Sequence, residues 1–505
     1  MAADLKAVLT NLLGNLSRSR SPASLTEAKT ILSATRIENI YNVSKDLDLS
    51  PLFSCLETFE GEDLEELNDL LGKLLDSFPP QTLLSAHKDH LVGALKSPSP
   101  SVRAVVLRQL IRCTKDNSTL SQLSRSRSVL ESLLRLLGEE DLWASKQSAL
   151  ILREVAREKE ALSALLQPPV ALILDDVMGR GDVFRFRVFE VFVDIAKASP
   201  EMLEKLAESG HLDKLLQETN QGDVLVRLNA LELLTELASK SHGLDYLEKK
   251  GILAKLSSET INVAKDPLGS LLGPGLLKFF GSMGQTSPQR LLVDYPQVLG
   301  FIFECVQDGD SASQAVAVET IGVIGSSVQG KRALRSHGDK MKQYLKTLSQ
   351  NIQGGRSELR VRSLDALANI LHIEDDSCED IIRLTEQWYD AFGEAPTRLL
   401  LGVCKQPFPD LRCSALGVVC EVAHSPWGQA ALASHPGFLE YLLDRSTESD
   451  KEGKEAKFAI VAALAQCPSQ PRGFSSEDWQ RIRTAHKEGP FYVAAEAAVA
   501  FEGSS

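Results

Sequence analysis

Apolar residues recur at helical spacing in the stretch "GDVLVRLNALELLTELA", residues 222–238. The residues of this stripe are Val224, Leu228, Leu231, Leu234 and Ala238. They are three or four positions apart and therefore share one face of a helix. Leu225 and Leu233 lie off the stripe and widen the apolar arc. The pattern predicts an inner helix, covered on more than one side.

The same pattern returns along the chain, and each copy places a basic or amide residue at the position of Arg227. We call this the slot position and the helix that carries it a slot helix. The slot residues are Arg103, Lys146, Arg185, Arg227, Gln314, Arg360 and Arg412. Their separations are 43, 39, 42, 87, 46 and 52 residues, and 87 is close to two periods. A repeat of roughly forty residues indicates a helical array.

Residues at the start of each slot helix suggest how the units are joined. Asp223 precedes the apolar run, and Asp182 and Asp410 stand in equivalent places, so we expect all three to be N-caps. The following arginine can bridge to an acid of the neighbouring unit or to helix-end carbonyls. Such a bridge would hold adjacent units in register.

Glycines downstream of the slot helices predict the remaining helices of each unit. Gly210, Gly251 and Gly437 stand just before short amphipathic runs, where a left-handed turn can end one helix and begin the next. Two or three helices per unit follow. The fold class predicted is all-α, an armadillo/HEAT-like helical-repeat solenoid that forms a curved superhelix with an extended concave face.

The strength of the repeat pattern divides the chain into four regions. Residues 1–88 are predicted to be an N-terminal helical capping region, 89–256 repeats, 257–300 a distorted repeat or bend, and 301–505 C-terminal repeats and a cap. Gly273, Pro274 and Gly275 are expected to break a helix within the third region. A domain boundary there is the alternative interpretation.

Composition narrows the class of partner. The 505 residues are 43% hydrophobic and 24% charged, with a net charge of −13, as expected of a folded chain that repels nucleic acid and anionic lipid. A basic partner face is therefore expected, with no nucleic acid and no membrane. Eight cysteines without a CxxC pair indicate buried thiols in a reducing compartment. Because no leader or membrane-length apolar run is present, we expect a cytoplasmic protein with access to the nucleus.

Two motifs suggest chemistry. "GSSVQGKR" places Gly325, Gly330 and Lys331 at the GxxxxGK spacing of phosphate-binding loops, but Arg332 stands where a magnesium-binding Ser or Thr belongs. A helix-to-helix turn is the favoured interpretation.

His87 and His90 in "HKDH" could share a helical face and reach a metal, yet no further ligand has a recognisable spacing, so a surface pair is favoured. No catalytic arrangement is recognisable elsewhere. The sequence therefore predicts no enzyme, no cofactor and no metal.

Several segments have no general meaning in repeats and together are specific. They are "PGLLKFFG" (274–281), "GVIGSSVQGK" (322–331), "QPFPDLRCSAL" (406–416), "SPW" (425–427), "PGFLEYLLDRS" (436–446) and "GPFYV" (489–493). In these the chain resembles the 26S proteasome non-ATPase regulatory subunit 5 family of armadillo/HEAT-like assembly chaperones. The resemblance implies a non-catalytic chaperone for assembly of the regulatory particle base. It would be a monomer until it holds proteasomal ATPase subunits 1 and 2 with the large non-ATPase subunit 2, and it would leave before the mature particle is complete.

Lysines on the helices taken as the third of each unit are the candidate partner contacts. They are Lys214, Lys255, Lys342 and Lys346, which stand beside apolar neighbours where armadillo-like arrays line their groove. The alternative function is a transport or cargo adaptor that binds a basic peptide. It would need a ladder of tryptophan and asparagine, and the four tryptophans, Trp143, Trp388, Trp427 and Trp479, are not spaced to supply one.

Overall fold

All the regular secondary structure in the described part of the chain is helical, as the apolar periodicity predicts. The structure, a computed structural model, describes residues 2–19, 25–220, 222–266, 268–374 and 378–493. The chain divides into two compact units, one up to Leu233 and the other from Leu234. The predicted all-α helical solenoid is confirmed.

The first unit contains fifteen helices and the start of a sixteenth within its described residues. They are α1 (Ala2–Ser19), α2 (Leu25–Ser33), α3 (Ile37–Ser44), α4 (Ser50–Cys55), α5 (Gly61–Ser77), α6 (Pro80–Ala94), α7 (Pro100–Thr114), α8 (Asn117–Ser124), α9 (Arg127–Leu137), α10 (Leu142–Val155), α11 (Lys159–Leu165), α12 (Val170–Gly179), α13 (Asp182–Ala198), α14 (Pro200–Glu208), α15 (His211–Glu218) and α16 (Val224–Ala238).

The second unit continues the same succession. Its helices are α17 (Ser241–Lys249), α18 (Ile252–Ile261), α19 (Gly269–Thr286), α20 (Pro288–Asp294), α21 (Pro296–Asp308), α22 (Ser311–Ile324), α23 (Val328–Arg335), α24 (Gly338–Gly354), α25 (Ser357–Leu371), α26 (Glu379–Phe392), α27 (Pro396–Cys404), α28 (Pro409–His424), α29 (Pro426–Ala433), α30 (Phe438–Leu443), α31 (Lys451–Ala465) and α32 (Ser476–Glu488). Two short 3-10 segments are Val263–Lys265 and Arg445–Thr447.

Most repeats consist of three consecutive helices, of which the last is the slot helix. The helices α14, α15 and α16 form one such unit, and α23, α24 and α25 form another. Gly210, Gly251 and Gly437 precede α15, α18 and α30 with φ of +76°, +74° and +74°. Since glycine has no Cβ to oppose this left-handed backbone, the turns predicted at these glycines are confirmed.

The slot helices pack directly against one another along each unit. The helices α19 and α31 carry no slot residue but pack in equivalent places, so we count them with the slot helices. In the first unit α7, α10 and α13 form a row, and in the second α19, α22, α25, α28 and α31 form another. Each also packs on the helix before it, as α22 does on α21. The four consecutive residues Ala315 to Val318 of α22 are all buried, so this helix is covered on several sides, as predicted for an inner helix.

Glycines let neighbouring slot helices approach closely in the second unit. A Cβ on Gly322 of α22 would lie 2.6 Å from the Cα of Ala366 in α25. One on Gly284 of α19 would lie 2.7 Å from Cγ1 of Ile324 in α22. These distances are far shorter than van der Waals contact, so any larger side chain would push the helices apart.

The predicted helix break at Gly273, Pro274 and Gly275 is wrong. The helix α19 continues through all three residues, with Pro274 inside it. A proline within a helix costs about 3 kcal/mol. Burial of Phe279 and Phe280, each worth roughly 1.5–3 kcal/mol, offsets that cost and keeps the helix intact.

The predicted N-caps are right in one case and wrong in two. Oδ1 of Asp223 accepts hydrogen bonds from the amides of Leu225 and Val226, at 2.8 and 3.4 Å, which confirms the cap. Asp182 is instead the first residue of α13, and Asp410 is the second residue of α28, after Pro409. Proline fits the first helical position, so α28 begins before its acid. Both carboxylates still lie in the first turn, where the helix dipole favours them.

The expectation that Leu225 is covered is also wrong, because its side chain is 67% exposed. Leu233 is half-buried. A wide apolar arc therefore does not by itself guarantee cover over the first turn of a slot helix.

Within the described residues, no single helix is long and apolar enough to cross a membrane. The helices α11 and α12 pass that test only as a pair, with a bend of 59° between them. The division into regions 1–88, 89–256, 257–300 and 301–505 stays a prediction.

We expect Gly322→Ala to lower the free energy of unfolding by about 1–3 kcal/mol, because the new methyl group forces α22 and α25 apart. Thermal unfolding followed by circular dichroism, with hydrogen exchange across α22 and α25, measures the effect. Gly417→Ala is the matched control, since nothing lies within 4 Å of the new Cβ in α28. Equal stability of the two variants would contradict the close-packing argument.

Candidate partner-binding surfaces

The four lysines predicted to contact a partner lie on α15, α18 and α24. Each of these helices directly precedes a slot helix and is therefore the second helix of its repeat, not the third as expected. Lys342 and Lys346 are on α24, and both are exposed. Lys342 is 68% exposed, with Nζ 4.0 Å from Oδ1 of Asp339. An exposed ion pair of this kind contributes only about 0–1 kcal/mol to stability. The ammonium group can therefore leave Asp339 and bind an acid of a partner at little cost in free energy.

Lys214 and Lys255 are more engaged within the protein. Nζ of Lys214 in α15 lies 3.3 Å from Oδ1 of Asp175 in α12, and Lys255 in α18 lies 3.7 Å from Oε1 of Glu259. Lys214 is 52% exposed but Lys255 only 29%. The helix α24 therefore offers the more available charges, and the partner contact itself stays a prediction.

Among the slot residues, Arg412 shows the most extensive bridge to the next repeat. Its guanidinium donates to Oε2 of Glu448 at 3.1 Å and to Oδ2 of Asp450 at 2.8 Å. Asp450 also caps α31, where its Oδ1 accepts from the amide of Gly453 at 2.7 Å. That amide hydrogen bond, together with Arg412, holds the pKa of Asp450 below its usual range. The N-cap of one slot helix is thus held by the arginine of the preceding one.

The same device recurs in the first unit. Nη2 of Arg103 in α7 donates to Oδ2 of Asp141 at 2.9 Å, and Asp141 caps α10 by accepting from the amide of Ala144. Nη1 of Arg103 also lies 3.0 Å from Oε2 of Glu139. Arg103 and Arg412 therefore confirm the predicted bridge to a neighbouring unit's acid.

The other slot residues use varied partners. Arg360 donates to the Ile352 carbonyl at 2.8 Å and to Oε1 of Gln406 at 2.9 Å, and Arg185 donates to Oε1 of Glu218 at 2.9 Å. Arg185 therefore makes the predicted bond to an acid. Arg360 makes the predicted bond to a carbonyl near a helix end, in α24, and adds one to the side-chain amide of Gln406.

The remaining slot residues are Gln314, Lys146 and Arg227. Nε2 of Gln314 donates to the Val306 carbonyl at 3.0 Å, and Lys146 is exposed. For Arg227, the described contact is its amide, which donates to the Asp223 carbonyl, and its bridge to a neighbouring unit stays a prediction.

The GxxxxGK motif begins in the turn after α22 and ends inside α23, which contains Gly330 and Lys331. Lys331 is 1% exposed, and its Nζ donates to the carbonyls of Gly325 and Ser326 at 2.7 and 3.1 Å. Its ammonium group thereby satisfies carbonyls at the C-terminus of α22. A Cβ on Gly330 would lie 1.7 Å from the Ile324 carbonyl oxygen, so this glycine is needed for packing. The lysine that a phosphate would require is buried in the protein.

The interpretation of His87 and His90 as a surface pair is wrong for His87, which is 8% exposed. Its ring packs edge-on against Phe78, and the ring of His90 stacks on Phe53 with centroids 4.9 Å apart. Burial lowers the pKa of His87. The sequence could not show this, because Phe53 lies in α4 and Phe78 directly follows α5.

Seven of the eight cysteines are buried or half-buried and all eight are free thiols, but Cys378 is exposed in the charged segment before α26. Burial of every thiol is therefore a wrong expectation at that position. Burial raises the pKa of Cys404 to about 12, so this thiol stays protonated and unreactive. Among the described residues, no cluster of three or more His, Cys, Asp or Glu side chains could hold a metal ion.

The tryptophans do not line a groove together. Trp388 and Trp427 are buried, and Nε1 of Trp427 donates to Oγ1 of Thr385 at 3.3 Å. Trp143 is 47% exposed and Trp479 is half-buried. Two of the four rings are therefore part of the core and cannot stack on a peptide.

A protein-family model described as "Proteasome non-ATPase 26S subunit" matches residues 1–505. The chain belongs to this family. It is 32% identical to the 26S proteasome non-ATPase regulatory subunit 5 of Bos taurus over 495 residues, which is 98% of each chain. The Homo sapiens protein of the same name is also 32% identical, again over 98% of each chain. The family resemblance expected from the sequence segments is thus confirmed.

One solved structure is similar enough to this family member to compare the folds. Yeast importin-beta (Kap95p) aligns with 92% of this chain and 60% of its own, with a TM-score of 0.55 and 15% identity. At that identity the likeness concerns the fold alone. It agrees with the helical solenoid seen here.

We expect Arg412→Gln to lower the local free energy of unfolding by about 3–5 kcal/mol, because the carboxylate of Glu448, 1% exposed, would lose its cation. Hydrogen exchange across α28 and α31 measures the loss. Arg383→Gln is the control, since Arg383 is 67% exposed and pairs with Glu379 of its own helix. A further Glu448→Gln change should recover part of the loss, and failure to do so would contradict the electrostatic cause.

Burial lowers the pKa of Lys331 from 10.5 to about 8. At pH values between about 8 and 10.5, the lysine binds a proton in the unfolded chain but not in the folded chain. This lysine therefore makes the free energy of unfolding rise with pH. Lys331→Met should remove that rise, so that the difference between wild type and variant grows in favour of wild type from pH 8 to pH 10. Urea unfolding at several pH values tests this, with Lys342→Met as the exposed control.

The same variant separates packing from nucleotide binding. We expect wild-type protein to show no ATP binding at equilibrium, since Nζ of Lys331 is occupied by two carbonyls. ATP binding that disappears in Lys331→Met would overturn this assignment.

Proposed function

We propose that this chain is a non-catalytic chaperone for assembly of the 26S proteasome regulatory particle base. It holds ATPase subunits 1 and 2 with the large non-ATPase subunit 2 in an intermediate, and it leaves before the mature particle forms. The observation that carries the proposal is similarity along 98% of the chain to proteins named as non-ATPase regulatory subunit 5. We place the activity in the cytoplasm, with access to the nucleus.

The distribution of paired and exposed charged side chains supports a role in holding a partner protein. Arg103 and Arg412 are committed to neighbouring repeats, and Lys331 is buried against carbonyls. What remains for a partner within each unit is a helical surface with exposed lysines and weak ion pairs. Exposed charges at the rim of an interface mainly set association rate and salt dependence, which suits a partner that is later released.

The adaptor alternative lacks the side chains that it needs. A ladder that grips a basic peptide requires exposed rings at successive repeats, and Trp388 and Trp427 are buried. We therefore favour recognition of a folded subunit over recognition of an extended peptide.

Charge reversal tests the proposed contacts. The variant Lys214→Glu/Lys255→Glu/Lys342→Glu/Lys346→Glu should bind the proteasomal ATPase subunits at least about tenfold more weakly, because four attractive contacts become repulsive. Pull-down and interferometry with purified ATPase subunits 1 and 2 measure the change. Lys115→Glu/Lys451→Glu, which reverses two exposed lysines elsewhere, is the matched control.

The outcomes separate the surface from the function. Wild-type binding that the fourfold variant retains would rule out the lysines and leave the chaperone role standing. Failure of the wild-type chain to bind any of the three subunits, or its stable presence in complete regulatory particles, would overturn the role itself.

A further inference from the structure

Large apolar side chains are exposed in the first turns of three consecutive slot helices. We call this set the apolar ridge: Leu142 and Trp143 of α10, Val183 of α13, and Leu225 of α16. Their exposed fractions are 55%, 47%, 64% and 67%. All four lie in the first unit.

The ridge is confined to these three helices at one position of the repeat. Trp143, Val183 and Leu225 each occupy the second residue of the helix. At the second residue of the other helices in the two rows the chain has small, polar or acidic side chains: Ser101, Ser270, Ala312, Glu358, Asp410 and Glu452. Single exposed apolar residues are common on protein surfaces, but recurrence at one structural position in three neighbours is not scatter.

Hydrogen bonds fix the helix starts that carry the ridge. Nη1 of Arg187 in α13 donates to the carbonyls of Leu137 and Glu139, at 3.2 and 2.6 Å, in the segment that leads into α10. Arg185, also in α13, donates to Glu218 at the end of α15, six residues before α16. The first turns of successive repeats are thereby tied to their neighbours, and the ridge is preorganised.

Acidic side chains border the ridge. Glu140 and Asp223 are exposed, and Asp182 is 58% exposed. Arg185, 24% exposed, is already paired with Asp182 and Glu218. Lys146, one turn further along α10, is exposed, and Arg227 in the first turn of α16 is half-buried. Arg180, two residues before α13, is 40% exposed and paired with Asp176. The charge that meets solvent along the ridge is therefore mainly negative.

We propose that the apolar ridge binds an amphipathic helix of a partner protein whose apolar stripe is bordered by lysine or arginine. Packed helices lie roughly 8–10 Å apart, and residues seven positions apart on a helix are about 10.5 Å apart. Apolar residues at seven-residue spacing on the partner therefore match Trp143, Val183 and Leu225 in turn. A second copy of this chain fits less well, because its own Asp182 and Asp223 would face the same acids.

A designed peptide tests the proposal without knowledge of the natural partner. The probe is a fluorescein-labelled helical peptide with leucines in a heptad pattern and lysines beside them. It is compared with a peptide in which glutamate replaces each lysine. We expect the lysine peptide alone to raise the fluorescence anisotropy and to shift the emission of Trp143 to shorter wavelength, as the ring leaves water. Trp388 and Trp427 are buried and should contribute no shift.

The variant Trp143→Ser/Val183→Ser/Leu225→Ser should bind the lysine peptide at least about tenfold more weakly, since it removes the central apolar anchors. Leu150→Ser/Leu172→Ser is the matched control, because these residues are 47% and 63% exposed in the same unit but lie outside the ridge. Circular dichroism checks that both variants are folded.

Three outcomes would overturn the proposal: no binding of the lysine peptide by wild type, equal binding of the two peptides, or equal loss in the ridge variant and its control. Sedimentation that shows wild-type dimers abolished by the ridge variant would assign the surface to self-association instead. Because none of these readouts involves an ATPase subunit, they leave the proposed chaperone role unaffected.

Discussion

The arginine bridge between successive slot helices is the interaction on which the array depends. In a linear array each repeat can bury its apolar face only against its neighbours, so the junctions decide whether the whole is stable. At Arg412 a single guanidinium reaches both a buried acid, Glu448, and the N-cap residue of the next slot helix, Asp450. The same residue therefore completes a helix end and sets the register between two repeats.

Much of this could be predicted from the sequence because repetition reveals it. Seven copies of one pattern define the slot helices, and the left-handed glycines at 210, 251 and 437 follow from the position of short helices after them. Local rules failed where tertiary packing outweighs them. Pro274 stays helical because Phe279 and Phe280 are buried further along α19, and His87 is buried by rings from earlier segments of the chain.

Chemistry was harder to predict than fold. The spacing of Gly325, Gly330 and Lys331 is compatible with a phosphate-binding loop, and only the carbonyls that surround Nζ of Lys331 reveal its structural use. Likewise, the apolar pattern predicts that a residue such as Leu225, in the first turn of a slot helix, is buried. In the structure Leu225 is exposed. Both outcomes depend on which groups of other helices pack against the residue. The periodicity of the sequence gives no information about those contacts.

Neighbouring repeats of the second unit are joined at both ends of the slot helices by contacts of different stiffness. Near the N-terminal ends of α22 and α25 the junction is made by a long side chain, because Nη1 of Arg356 donates to Oγ of Ser311 at 3.2 Å. Towards the C-terminal end of α22, Gly322 brings the backbone against Ala366 with no side chain between. Backbone contact cannot be compressed, whereas an arginine bridge can lengthen by rotamer changes. The distance between the two helices should therefore stay fixed at the glycine contact, while the distance spanned by the arginine can change. Adjacent repeats can then rotate slightly about the glycine contact while they stay in register.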